Sequence, residues 1–117
     1  MKTSEILIKA KEVIVNPENW IQNYFAYNKN GHPVGRGTHP DAVCFCSVGA
    51  IQKVIGDKGD ASEEFLSARK VREVTKVLTI AAGETITDYN DTHTHSEVME
   101  VWDKAIKNAI QSELNQE

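Results

Sequence analysis

Three features of the sequence predict a mostly α-helical fold: a compact bundle of about four helices, with a small hairpin or extended insert after the first. Apolar residues recur at helical spacing along most of the chain, two capping boxes stand just ahead of apolar stretches, and glycine or proline closes the periodic segments. Residues 20–34 break the pattern, because aromatics there precede the turn sequence Asn28-Lys29-Asn30-Gly31.

The first helix is expected to open at Thr3 or Ser4, with Glu5 at the positive end of the helix dipole. Ile6, Leu7, Ala10, Val13 and Ile14 then share a face, and Pro17 stops the helix. Trp20, Tyr24, Phe25 and Tyr27 belong to the insert, which runs from Trp20 to Val34. The loop Gly35-Arg36-Gly37-Thr38-His39-Pro40 leads into a second helix, expected to start at Pro40 or Asp41 and to end at Gly56. Ala42, Cys46, Gly49 and Ala50 would form its close-packing face. Asp60 and Glu63 have capping-box spacing ahead of a third helix, lined by Phe65, Ala68, Val71, Leu78 and Ala82 and ended by Gly83. Residues 84–92 read as a connection. Thr94 and Glu97 form the second capping box, followed by Val98, Val101, Trp102, Ala105, Ile106, Ala109 and Ile110 on one stripe.

The chain has 117 residues, of which 40% are hydrophobic, and this suits one domain spanning 1–117 around one core. No apolar run reaches the roughly 18 to 20 residues a membrane span needs, and the polar start does not resemble a secretory leader. A soluble, cytoplasmic protein without membrane contact is expected. The net charge of −4 opposes general nucleic-acid binding but not the binding of one nucleotide. Assembly with further copies of the chain is left open.

Several residues could carry chemistry. Cys44 and Cys46 are too close for an ordinary disulfide, and on a helix they would point about 200° apart, so Cys46 is expected as a core thiol rather than a metal ligand. His93 and His95, with Asp88 and Asp91, could hold a transition metal or line the entrance of the last helix. A calcium loop starting at Asp88 fails, because His93 stands where the turn glycine belongs and Met99 where the bidentate glutamate belongs. Gly35-Arg36-Gly37-Thr38 could present N–H groups and a guanidinium to a phosphate, although Asp41 would compete for the same helix end. Trp20, Tyr24, Tyr27 and Tyr89 could stack a base or complete a core. No motif spells out a catalytic arrangement, and no cofactor is expected.

Trp20, the run Ala42-Val43-Cys44-Phe45-Cys46-Ser47-Val48-Gly49-Ala50, the triplet Tyr89-Asn90-Asp91 and the helix segment Asp103-Lys104-Ala105 together resemble a family of small uncharacterised proteins. That family is a domain of unknown function from bacteria and their phages. The resemblance covers most of the chain, with Cys46-x-x-Gly49-Ala50 and Asn90-Asp91 its most specific parts; Cys44 is an addition. It implies a shared fold and a polar locus around Asn90 and Asp91.

Three functions follow as expectations. The first is a non-catalytic protein that binds a nucleotide-type ligand, such as a phage protein sequestering a nucleotide-derived immune signal. Arg36 would pair with phosphate, Trp20 or Tyr24 would stack the base, and Asn90 and Asp91 would bond the sugar or base. The second is a small metal-dependent hydrolase built on Asp88, Asp91, His93 and His95. The third is a protein-binding inhibitor module that acts through an exposed face.

Overall fold

The computed structural model describes residues 1–56 and 61–116, of which 61–65 in backbone only. Its first helix, α1 (Thr3–Ile14), buries Ile6, Leu7, Ala10 and Ile14 on the expected face. Glu5 accepts from the backbone N–H of Lys2 at 3.2 Å. Ser4 does not cap the helix with its side chain; its hydroxyl donates to Glu113 near the other chain end at 2.6 Å. Pro17 ends the helical path as expected and opens a short 3₁₀ turn over Pro17–Asn19, capped by the side chain of Asn16.

The insert contributes β1 (Ala26–Tyr27) to a two-stranded antiparallel sheet whose other strand, β2 (Cys44–Phe45), lies beyond it, in the register Ala26 opposite Phe45 and Tyr27 opposite Cys44. Beside it, Asn28 to His32 forms the expected tight turn: the Asn28 side chain accepts from the N–H groups of Asn30 and His32, and Tyr27 bridges back to Pro33.

This pairing overturns the expected start of the second helix. The helix α2 runs Ser47–Ile55, with Cys46 as its N-cap and Gly56 ending it at φ 76°. Residues 40–45 are drawn into a turn at His39 to Ala42 and then into β2, so Pro40, Asp41 and Ala42 lie outside the helix. Strand pairing competes successfully for Val43-Cys44-Phe45, residue types that suit extended backbone. The expectation that Cys44 and Cys46 share a helix falls with it. Cys44 sits in β2, where its thiol donates to the Glu18 carbonyl at 3.4 Å, and Cys46 is buried.

The third helix, α3 (Ala61–Ala82), faces the core through Val74, Leu78 and Ala81, and it ends at Gly83 as expected. Ala68, placed on the buried stripe from sequence, is exposed. The Asp60–Glu63 capping box and the burial of Phe65 lie outside the described residues. Residues 84–92 hold an unexpected short helix, α4 (Ile86–Thr92), which buries Ile86 and Asn90 one turn apart. Five α-helices are therefore described rather than about four.

The last helix, α5 (His95–Asn115), begins with the expected reciprocal cap. Glu97 N–H donates to Thr94 Oγ1 at 3.2 Å, and Thr94 N–H donates to Glu97 Oε1 at 3.0 Å. These bonds hold the Glu97 carboxyl below its ordinary range. Val98, Val101, Trp102, Ala105 and Ala109 are buried, while Ile110 turns outward. The helix α1 packs against α2 and α5, α3 packs against α5 and α2, and α4 bridges α2, α3 and α5. Among the described residues, no helix is long and apolar enough to cross a membrane.

Candidate functional site

A buried polar chain ties the insert to the helices. Trp20 Nε1 donates to Asn90 Oδ1 at 2.8 Å, and the same oxygen accepts from Ser47 N at 3.1 Å and Ser47 Oγ at 2.8 Å. Ser47 Oγ in turn accepts from Trp102 Nε1 at 3.1 Å. On its other side, Asn90 Nδ2 donates to the Ile21 carbonyl at 3.0 Å and to Asp91 Oδ1 at 3.2 Å. Asn90 is 1% exposed, and both ends of its amide are engaged. Its side chain is therefore committed to bonds within the protein. Trp20 is likewise occupied, with its ring edge-on to His95 at a centroid distance of 5.5 Å.

Asp91, the next residue, faces a cavity of about 260 Å³ lined by Asn23, Tyr24, Phe25, Pro33, Gly35, Cys46, Thr87 and Asp91. The Oδ1 atom of Asp91 accepts from Asn23 N–H at 2.8 Å, and Asn23 is the one non-glycine residue at positive φ (75°) among the described residues. Asparagine adopts this left-handed geometry more readily than most residues. The bend delivers Tyr24 and Phe25 to the cavity, where they remain 52% and 40% exposed. Their backbone is firmly seated. Cys46 N–H donates to the Phe25 carbonyl, and Gly49 lies so close that a Cβ on it would stand 1.9 Å from that oxygen. Gly37 meets Gly49 in the same way, so three stretches of backbone stack directly on one another.

Cys46 forms part of the cavity wall, and its sulfur also accepts from Gly49 N–H at 3.4 Å. Burial, with a smaller contribution from the charge of Asp91, pushes its thiol up to about 11. It is a protonated thiol at neutral pH, not a thiolate nucleophile.

The phosphate loop does not take the expected form. Gly37 N–H is committed to Gln52 Oε1 at 2.8 Å, and no helix starts after the loop until Ser47. Arg36 lines a neighbouring cavity of about 190 Å³ with Phe25, Thr38, Gln52, Ser67, Ala68 and Val71. Phe25 borders both cavities, Asp91 lining one and Arg36 the other.

The residues of the hydrolase reading are not brought together. His93 stacks on Tyr89 at 3.6 Å, with its Nδ1 within hydrogen-bond distance of the Tyr89 carbonyl and of Thr92 Oγ1. His95 Nε2 contacts the Ile14 carbonyl at 2.8 Å, on another side of the helix entrance. Among the described residues, no group of three or more His, Cys, Asp or Glu side chains could hold a metal ion.

Phe25, Pro33, Cys46 and Thr87 line the Asp91 cavity, and the sequence reading names none of them as ligand-binding. The adjacent aromatic pair Tyr24-Phe25 was the available signal. A larger cavity of about 440 Å³, lined in part by Lys2, Lys70, Val77, Ile80, Ala109 and Glu113, lies away from all of these groups. Both carboxylate oxygens of Glu113 are bound there by Ser4, which holds the acid below its ordinary range.

The chain belongs to a family of unknown function, DUF6197, whose model matches residues 1–108. No match was found among curated proteins or solved structures.

Proposed function

From a chain whose family carries no assigned activity, we propose a non-catalytic protein that binds one small ligand in the cavity between Tyr24, Phe25 and Asp91. One observation carries this reading. Two adjacent aromatic side chains stand exposed on a pinned backbone, beside a carboxylate whose Oδ2 has no hydrogen-bond partner among the described residues. Exposed aromatics cost solvation, and a carboxylate beside them supplies direction, the usual combination of a recognition site.

The same groups speak against catalysis in the cavity. The cavity thiol is protonated at neutral pH, and neither His93 nor His95 lines the cavity, so nucleophile and imidazole base are not paired there.

The finer expectation, a nucleotide-derived immune signal captured by a phage protein, requires its phosphate to reach Arg36, which lines the neighbouring cavity and not this one. The Asp91 cavity itself offers an anion no cationic lining residue among those described, and it is smaller than the roughly 300 to 1,000 Å³ usual for drug-sized ligands. A ring or compact headgroup fits this space better than a dinucleotide. A native mass spectrum of protein expressed in its own host, before and after denaturation, tests the proposal. A small molecule released intact supports it; a bare chain contradicts it, and a chemically altered ligand points to an enzyme.

A further inference from the structure

The charge and composition of the cavity narrow the ligand class. Asp91 carries the one formal charge among its described lining residues, and its field is felt inside, since it helps raise the Cys46 thiol. Tyr24 and Phe25 present aromatic rings, with Tyr27 tilted against Tyr24 at a centroid distance of 5.6 Å. Ring faces carry partial negative charge and attract cations, most strongly when water is excluded. The chain as a whole has a net charge of −4, which adds to the attraction at long range.

The apolar part of the lining favours a cation that carries apolar substituents. The side-chain oxygens of the lining belong to Asn23, Tyr24, Thr87 and Asp91, beside the apolar Phe25 and Pro33; Asp91 Oδ1 already accepts from Asn23 and Asn90. A methylated ammonium needs no donors satisfied, and its methyl groups pack against Tyr24, Phe25 and Pro33.

We infer that the cavity between Tyr24, Phe25, Pro33 and Asp91 takes an alkylated ammonium headgroup, with the charge set against Asp91 and the methyl groups against the aromatic rings. This inference rests on the proposed ligand-binding role of the same cavity.

A matched series tests it: choline, its neutral isostere 3,3-dimethylbutanol, and the anion 3,3-dimethylbutyrate, each titrated into the full chain. Amide chemical shifts of residues 23–25, 46, 87 and 91 report the binding. Choline should bind at least tenfold more tightly than the alcohol, and the anion should be weakest. Asp91→Asn should remove the preference for the cation, because its amide oxygen still accepts from Asn23 and Asn90 while the charge is gone. Tyr24→Ala, at an exposed position, should weaken choline binding at least fivefold without lowering the unfolding midpoint.

Equal affinity for choline and the alcohol, or tighter binding of the anion, overturns the cation inference and leaves the cavity as a ligand site. No shift at these residues with any probe at millimolar concentration overturns the cation inference, and a ligand-free native mass spectrum then removes the binding role itself. Shifts confined to another face overturn the placement.

Discussion

Asn90 Oδ1 accepts the indole N–H of Trp20 at 2.8 Å, and this bond fastens the insert to α4 at a point with almost no solvent access. The oxygen also accepts two bonds from Ser47, while the amide nitrogen faces the Ile21 carbonyl and the Asp91 carboxylate. Donors surround one end and acceptors the other, so only an amide in this orientation satisfies both. Asn90→Asp places an acceptor against two acceptors and should destabilise the fold by about 3 kcal/mol at neutral pH, within the range for a broken buried network. Urea unfolding measures it, and a loss below about 1 kcal/mol would show that the network is dispensable.

Gly49→Ala should disturb the site from beneath. A Cβ at this position meets the Phe25 carbonyl at 1.9 Å, so the insert backbone must move off α2. The expected cost is about 1 to 3 kcal/mol, as for other forced overpacking. Tyr24 and Phe25 amide signals should shift with it. Unchanged signals and stability would mean that the insert has slack at this contact.

The thiol of Cys46 gives a pH signature. Its folded value is raised to about 11 from an ordinary 9.0, so between these values the folded state holds a proton that the unfolded state has released. Stability from this group is complete below about pH 9 and falls as pH rises toward 11, by roughly 2 to 3 kcal/mol in total. Cys46→Ala should flatten that part of the stability–pH curve relative to wild type. A wild-type curve equally flat there would contradict the burial argument. In the native state at neutral pH, Cys46 should also react with thiol reagents far more slowly than in denaturant.

Trp102 is fully buried, and its N–H donates to Ser47 Oγ at 3.1 Å. Replacement by alanine should cost about 3 to 5 kcal/mol in urea unfolding, the range for deleting a large buried aromatic. A change below about 1 kcal/mol would remove Trp102 from the core.

Periodicity made α1 and α5 legible, because their apolar positions and the Thr94–Glu97 cap agree on one answer. The turn at Asn28 to Gly31 was legible for the same reason: its residues are those that local geometry demands. The start of α2 was not. Pro40 and Asp41 have the local chemistry of a helix start, but β2 pairs with β1 eighteen residues away in register, a tertiary preference that propensity does not carry. Residues 86–92 hid a helix because Thr, Asp and Asn are weak helix formers, and the fold compensates by burying Ile86 and Asn90. Of the residues the sequence grouped around a ligand, Asp91 and Tyr24 line one cavity, while Asn90 and Trp20 bind each other. Which face a polar side chain takes is decided by packing. Arg36 was grouped with them by residue type, and it lines the neighbouring cavity.

Whether the Tyr24–Phe25–Asp91 cavity holds the physiological ligand can be read from paired native mass spectra. Wild type, Tyr24→Ala, Asp91→Asn and Arg36→Ala would be expressed in the same host and compared at equal concentration. Wild type and Arg36→Ala should carry a bound small molecule, with occupancy reduced at least fivefold on Tyr24→Ala and Asp91→Asn. A ligand retained by both cavity variants, or lost only from Arg36→Ala, would contradict it and move the site to the neighbouring cavity or to another face.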